Sequence, residues 1–423
     1  MTPISITLLL LLFVIILFVT EKLPLAVTSM IALITLVLTG VLSPKDAFAG
    51  FVDNNLILFV AMFIIGGAFF ETGMANKTGG IVTKFAHSER ELIVAVMTVT
   101  GLMSGFLSNT GTAAVLIPVV IGIAAKSGFA RSRLLLPLIF AAAMGGNLSL
   151  IGAPGNLLGK SALQAIGADI GFFEYGYVGL PILVVGIAFF ATVGYKFLPN
   201  KKPGSEGESV YDEAQDFSSV PAWKQKASLI IMVLTIIAMI FEKQIGIKFY
   251  LSGCIGAIIL VATGVISEKQ AYKSIDLQTL FVYGGTLALA KALEKTGAGA
   301  YIADSVIGLL GSNASPFMLL AVVLLLSCVM TNFMSNFATA ALLIPISLNI
   351  SAAMGADPKA VIVATVIGSS LAFATPIGMP ANMMVFAPGG YNFNDYVKAG
   401  LPMVIVGYVV SLILLPILFP FYH

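Results

Sequence analysis

The sequence predicts an all-α polytopic membrane protein made of two inverted-topology repeats, each with five transmembrane helices and one re-entrant hairpin. Three observations predict it. Hydrophobic residues make up 58% of the 423-residue chain and charged residues only 10%, well outside the range of soluble globular proteins. The stretch SNTGTAAVLIP from Ser108 to Pro118 returns as SNFATAALLIP from Ser335 to Pro345, with eight of eleven positions identical. Other matches keep nearly the same offset: 224 residues between Gly40-Val41-Leu42-Ser43 and Gly264-Val265-Ile266-Ser267, 226 between Ile151-Gly152-Ala153-Pro154 and Ile377-Gly378-Met379-Pro380, and 221 between Gly179-Leu180-Pro181 and Gly400-Leu401-Pro402. A steady offset over the whole length is the mark of an internal duplication.

The first repeat, 1–198, opens with apolar helices near 4–19, 24–42 and 54–73. The first of these has no basic residues before it and no small-residue cleavage site after it, so it reads as a retained helix rather than a signal peptide. A hairpin follows at 91–126, its apolar run of about 35 residues too long for one crossing of a roughly 30 Å hydrocarbon core and sufficient for two legs. An interrupted span at 134–166 and a helix at 176–198 complete the repeat. Residues 199–225 turn polar, with Lys201-Lys202-Pro203-Gly204 and five acids between Glu206 and Asp216, which is linker composition. The second repeat, 226–423, has runs at 226–241, 249–266 and 278–295, a hairpin at 315–351, an interrupted span at 358–387 and a helix at 400–419.

Five crossings per half is an odd number, so the second copy is inverted in the membrane. Lysine and arginine give the orientation: loops on one side carry 15 of them and loops on the other six. The positive-inside rule then places both termini outside, about ten spans between them, and the 199–225 linker in the cytoplasm.

Each Ser-Asn tip precedes a short helix that runs to a proline, so Asn109 and Asn336 sit beside free N–H groups at the positive end of a helix dipole, where an anion fits. Carbonyls ending the preceding leg, with the Asn side-chain oxygen, can ligate a small cation such as Na+. Gly145-Gly146-Asn147 through Asn156, and Phe373-Ala374-Thr375-Pro376 through Asn382, break the next span in each half. Four discontinuities in corresponding places point to a transporter binding site at the bilayer midplane.

Composition excludes other chemistry. No acid sits centrally in a span, which argues against a carboxylate proton relay. Cys254 and Cys328 stand alone, and the two histidines, His87 and His423, lie outside the spans, so neither a metal cluster nor a nucleophile-base pair of an intramembrane hydrolase is present. Lys160 within a span reads as snorkelling to the interface or as adding positive potential to the site, Lys291 and Glu294 as a local pair. A net charge of +2 suggests no nucleic-acid partner.

With the two Ser-Asn tips followed by Thr-Ala-Ala-x-Leu-Ile-Pro, and with Thr375-Pro376-Ile377-Gly378, Pro380 and Asn382, the sequence resembles the divalent anion:sodium symporter family of the ion transporter superfamily over essentially its whole length. The resemblance implies a homodimer in a prokaryotic inner membrane. Scaffold helices at 4–73 and 226–295 would hold the interface while a transport unit, 91–198 with 315–419, moves as an elevator. It implies one Na+ site around Ser104, Ser108, Asn109 and the Leu148 carbonyl, and a second around Thr331, Met334, Asn336 and the Ala374 carbonyl. The anion would lie between Asn109-Thr110 and Asn336, with Thr375 and Pro376 beside it. Phe337 departs from the pattern, which has Thr there.

The function expected is Na+ symport of a small divalent anion, a C4 dicarboxylate. Sulfate or another oxyanion, anion exchange without Na+, and a channel are the competing functions. Phe337 replaces a hydroxyl by a ring at one of two otherwise matching tips, so a smaller or less symmetric anion is expected and citrate-sized tricarboxylates are excluded.

Overall fold

The computed structural model describes residues 2–20, 22–79, 88–201, 217, 220–310 and 315–422. The loop with Lys84 and His87, and most of the expected linker, lie outside them. Among the described residues all regular structure is helical.

In the first half, α1 (Pro3–Thr20), α2 (Leu25–Leu38), α3 (Pro44–Phe48), α4 (Asn54–Glu71) and α5 (Met74–Gly79) precede the hairpin of α6 (Glu89–Ser104) and α7 (Asn109–Ser127). Then α8 (Ser132–Gly145) and α9 (Pro154–Ala165) flank a break, and α10 (Gly176–Thr192) ends the half. The second half follows the same order: α11 (Ala222–Ile240), α12 (Glu242–Ile245), α13 (Phe249–Ala262), α14 (Glu268–Lys273), α15 (Leu277–Thr296) and α16 (Ala298–Leu310). The second hairpin is α17 (Pro316–Thr331) and α18 (Asn336–Ala353); α19 (Pro358–Ser369), α20 (Pro380–Phe386) and α21 (Phe393–Leu418) complete the chain. Matching residues start matching helices. Ser43 and Ser267 cap α3 and α14 by accepting from the N–H of Asp46 and Gln270, and Asp53 and Asp276 cap α4 and α15.

Five apolar segments among the described residues are long enough to cross a bilayer by length and composition: 3–20, 44–71, 222–240, 336–353 and 393–418. The core belongs to shorter helices. In α8 every residue from Leu134 to Gly145 is buried, and in α19 every residue from Ala360 to Ser369. At 1.5 Å per residue these helices are only about 21 and 18 Å long, and a helix apolar on all sides is one enclosed by protein. Their covers match: α6 and α7 pack on α8, α17 and α18 on α19, and α10 lies against α21. Where α6 crosses α8 the backbones touch, because a Cβ on Gly145 would come within 2.2 Å of the Gly101 carbonyl oxygen. In a second group, α2 packs on α15 and α4 on α13, so each half is held by the other.

Three expectations need correction. The helices after the tips do not stop at proline: α7 runs through Pro118 and α18 through Pro345. Proline frees one carbonyl, and surrounding helices make that tolerable in an apolar interior. Lys160 does not snorkel. It is 4% exposed, and its ammonium is paired 2.5 Å from Asp169 and donates to the Ile170 carbonyl at 2.8 Å, because the loop after α9 folds back over it. Finally, α16 forms in an interval to which the sequence reading assigns no apolar run, starting directly after Gly297, whose φ of +77° ends α15. Lys291 and Glu294 do form the local pair, at 3.0 Å.

Candidate functional site

The two tips are made by one local device. Ser108 accepts a hydrogen bond from the Gly111 N–H at 3.1 Å, and Ser335 accepts from that of Ala338 at 3.2 Å. Each serine thereby caps its helix and leaves the N–H groups of the next two residues, Asn109-Thr110 and Asn336-Phe337, at the positive end.

Behind each tip, oxygen atoms converge on the asparagine amide. The Asn109 Oδ1 position lies 2.8 Å from Ser104 Oγ, 3.1 Å from the Ala142 carbonyl and 3.3 Å from the Gly152 carbonyl. The Asn336 Oδ1 position lies 2.9 Å from Thr331 Oγ1, 3.1 Å from the Ser369 carbonyl and 2.9 Å from the Gly378 carbonyl. Ala142 and Ser369 are 227 residues apart, and Gly152 and Gly378 are 226 apart, so the partners correspond as closely as the tips. The carbonyls at the first tip come from α8 and from the break that follows it, so the interruption lets Gly152 turn its carbonyl to the tip. Gly146 packs so closely that a Cβ would come 2.4 Å from Asn109 Oδ1.

The breaks are pinned by a second matched set. Asn156 Nδ2 donates to the carbonyls of Gly146 (2.8 Å) and Ser149 (2.7 Å), and Asn382 Nδ2 to those of Ala372 (2.8 Å) and Thr375 (2.9 Å). Ser149 Oγ donates to the Gly105 carbonyl and Thr375 Oγ1 to that of Asn332, tying each break to the adjoining tip. The hydroxyls of Tyr175 and Tyr396 in turn donate to the carbonyls of Asn156 and Asn382. Burying this much irregular backbone is possible because side chains satisfy it.

Both tips open onto a single cavity of about 600 Å³. Ser108, Asn109, Thr110, Ser335, Asn336 and Phe337 all line it, with Ser369, Ser370, Met379 and Pro380 from the second break. The opposite wall comes from α4, α14 and α15 and includes Phe70, Glu71, Lys273 and Asp276. Other predicted residues lie elsewhere. Ser104 and Thr331 are buried behind the tips within the oxygen clusters. Thr375 and Pro376 are buried and absent from the cavity wall, Thr375 having its hydroxyl committed to Asn332. Met334 is buried in an apolar cluster with Ala338 and Leu342. The Leu148 carbonyl lies against Gly176, where a Cβ would come within 2.5 Å of it. The Ala374 N–H donates to Asn332 Oδ1 at 2.8 Å. The carbonyls that do reach the amides, those of Ala142, Gly152, Ser369 and Gly378, are backbone groups and carry no residue-type signal in the sequence.

A helical membrane fold whose paired hairpin tips and helix breaks meet at one cavity defines a secondary transporter rather than an enzyme. The chain belongs to the citrate transporter family (CitMHS), whose family model matches residues 15–368. It is 24% identical to the uncharacterized transporter YfbS of Escherichia coli K12, over 96% of this chain and 98% of that one. An uncharacterized transporter of Haemophilus influenzae is 28% identical, over 95% and 89% respectively. The sodium-dependent dicarboxylate transporter SdcS of Staphylococcus saprophyticus is 24% identical, over 95% and 84%. The fold is similar to that of the Alcanivorax borkumensis YdaH transporter, with a TM-score of 0.66 at 16% identity over 88% of this chain and 86% of that one. The Neisseria gonorrhoeae antimetabolite efflux pump MtrF gives a TM-score of 0.65 at 16% identity, over 99% and 95%. The chain is thus an integral multi-pass membrane protein of the citrate and dicarboxylate transporter kind, as its likeness to the divalent anion:sodium symporters implied.

Proposed function

We propose that the protein is a Na+-coupled symporter of a small C4 dicarboxylate that works by an elevator movement as a homodimer in a prokaryotic inner membrane. One observation carries this: two tips of the same construction face one cavity, each with one end of its Asn amide among three further oxygens. With its oxygen inward, each Asn completes a set of four uncharged oxygen ligands, which suits a hard cation of low charge. Asn109 and Asn336 then present their backbone N–H groups and helix ends to the anion, and the cation sets lie directly behind. Substrate and Na+ favour one another by proximity, and such coupling is reciprocal. The sodium-dependent dicarboxylate relative supports the same coupling.

The amides also admit a second reading. With nitrogen inward, the amide of Asn109 has all three of its neighbours within hydrogen-bond reach of its two N–H groups and Asn336 does likewise, a network that needs no cation and suits a Na+-independent anion exchanger. Uptake of labelled succinate, citrate and sulfate into proteoliposomes separates the two. Symport requires succinate uptake that depends on an inward Na+ gradient; uptake driven equally well by internal anion in choline supports exchange.

The inverted arrangement has support from ion pairs. Arg133–Glu89 and Lys201–Asp395 join residues assigned to the cytoplasmic side, and Lys295–Asp46, Lys359–Glu174 and Lys248–Glu242 join residues assigned to the outside. Glu71 and Lys273 lie at the cytoplasmic ends of their helices in this topology, so the tip cavity opens inward. The entering legs of the hairpins, α6 and α17, have 16 residues each, fewer than the roughly 20 needed to cross, in keeping with re-entrant hairpins, while the returning leg α18 is long enough to cross. The scaffold comprises 4–73 and 226–295, with α2 on α15 and α4 on α13; the transport unit comprises 91–198 and 315–419, centred on α8 and α19. Residues 199–225 link the repeats in the cytoplasm.

Phe337 lines the cavity where the first tip has Thr110, and we assign it the choice among anions. It withholds from one end of the substrate a hydroxyl that the other end keeps. Phe337→Thr is expected to raise affinity for succinate relative to the native substrate; an unchanged ranking over the anion panel would remove the residue from the site.

A further inference from the structure

A partly buried polar network outside the tip cavity joins α9 to the helices of the other group. Asp53, the cap of α4, accepts from the Asn55 N–H at 2.9 Å, from Tyr283 Oη on α15 at 2.9 Å and from Ser161 Oγ on α9 at 3.0 Å. The Ser161 and Tyr283 hydroxyl oxygens also lie within hydrogen-bond distance of each other, so one of the two hydroxyls can turn from Asp53 to its neighbour. Asn55 Nδ2 donates to Ser161 Oγ at 2.7 Å and to Gln164 Oε1 at 3.0 Å, and Gln164 Nε2 reaches Asp169, the partner of Lys160, at 3.2 Å. The Lys160 ammonium lies 5.0 Å from the ring centre of Phe249 at the start of α13. One face of α9 therefore meets α4, α13 and α15 together, beside a second cavity of about 450 Å³ lined by Asp46, Asp53, Ser161 and Lys291.

Among the described residues the other half has no such network. Asp276 caps α15 as Asp53 caps α4, accepting from Thr279, but it lines the open tip cavity. At the offsets of the two repeats, Lys160, Ser161 and Gln164 become Phe386, Ala387 and Gly390, and Tyr283 becomes Phe59. Every side chain that crosses from α9 is replaced by one that cannot hydrogen-bond. Asn55 is fully buried and its Oδ1 has no partner among the described residues.

We propose that Asp53, Ser161 and Tyr283 form a one-sided lock that holds the transporter with its tip cavity open inward and its outer side shut, and that the opposite conformation has no equivalent. The lock rests on the moving-unit reading above. Sliding of α9 past α4 and α15 has to break the bonds to Asp53, and the charged acceptor makes them the costly ones. The outward-open state would instead bring α20 toward Asp276, with Ala387 and Gly390 in the corresponding places. The resting population is therefore inward-open, and the lock residues set how often the protein leaves it.

Gln278→Cys, on the exposed wall of the tip cavity and outside the lock, reports the state in a chain whose Cys254 and Cys328 are replaced by Ala. Its labelling rate by a membrane-impermeant maleimide is measured in inside-out vesicles, with Tyr283→Phe, Ser161→Ala and the pair combined; Asp53→Asn, which retains the helix cap, is a fourth variant. Losing a hydrogen bond to a charged group shifts an equilibrium by about tenfold or more, so labelling should slow as the outward state fills, most in the double variant. Thermal unfolding of the detergent-purified proteins establishes that each is folded. Labelling that responds to succinate and Na+ in the parent chain, yet is identical in all folded lock variants, overturns the lock alone. Labelling that responds to neither ligand nor substitution removes the moving unit and the lock with it.

Discussion

The two tips are alike where they are buried and different where they meet the cavity. Ser104 and Thr331, Ala142 and Ser369, and Gly152 and Gly378 surround Asn109 and Asn336 at distances agreeing within half an ångström. At the cavity surface, Thr110 at one tip corresponds to Phe337 at the other. The two halves share the oxygens that surround the amide and differ in the side chain at the cavity surface. Within the reading proposed here, the shared parts bind the ion and the differing parts set direction and selectivity; α9 with its polar face, against the bare α20, is the same contrast on a larger scale.

Removing the shared feature should have the largest effect. Asn109→Ala and Asn336→Ala are each expected to reduce uptake to background while the purified protein keeps its thermal unfolding temperature, because each amide serves ion and anion together. Wild-type uptake in either folded variant would separate the tips from transport and end the equivalence of the two sites. The next largest effect is expected from Gly146→Ala, whose new methyl would meet Asn109 Oδ1, set against Ala372→Gly at the corresponding position of the second half. The first should weaken apparent Na+ affinity by about tenfold, on the scale of a lost hydrogen bond to a charged group, and the second should change it little. Equal effects would mean that the space around Asn109 is not what positions its amide.

A smaller and purely structural effect is expected at the pins. Asn156→Ala and Asn382→Ala each strip two buried carbonyls of their donor, costing about 1–3 kcal/mol per unsatisfied group. Thermal unfolding should fall by similar amounts in the two variants if the halves are equivalent here. A loss in only one would show that the matched bonds carry unequal loads.

The parts visible in the sequence were those written in residue type. Ser-Asn at 108–109 and 335–336 signals a helix start, glycine and proline at 145–156 and 376–380 signal a break, and their recurrence signals a duplication. The parts that were not visible depend on backbone or on distance in the chain. The carbonyls of Ala142 and Ser369 could belong to any residue, and a lysine at 160 looks unpaired until Asp169 folds back to it. Leu148 and Thr375 were assigned to the site from family likeness, and their positions against Gly176 and Asn332 follow from how tightly each break is packed. Proline misled for a related reason: Pro118 and Pro345 would end an isolated helix, whereas α7 and α18 are held by their neighbours on both sides.

The amide orientation is the point on which the whole account turns, because oxygen inward makes two cation sites and nitrogen inward makes none. Succinate affinity of the purified protein, measured by calorimetry across a series of Na+ concentrations at constant ionic strength with choline as the replacement, tests it directly. Affinity that rises with Na+ and is lost in choline is the result expected. The same affinity in Na+ and in choline would contradict coupling through the tips and leave an anion exchanger.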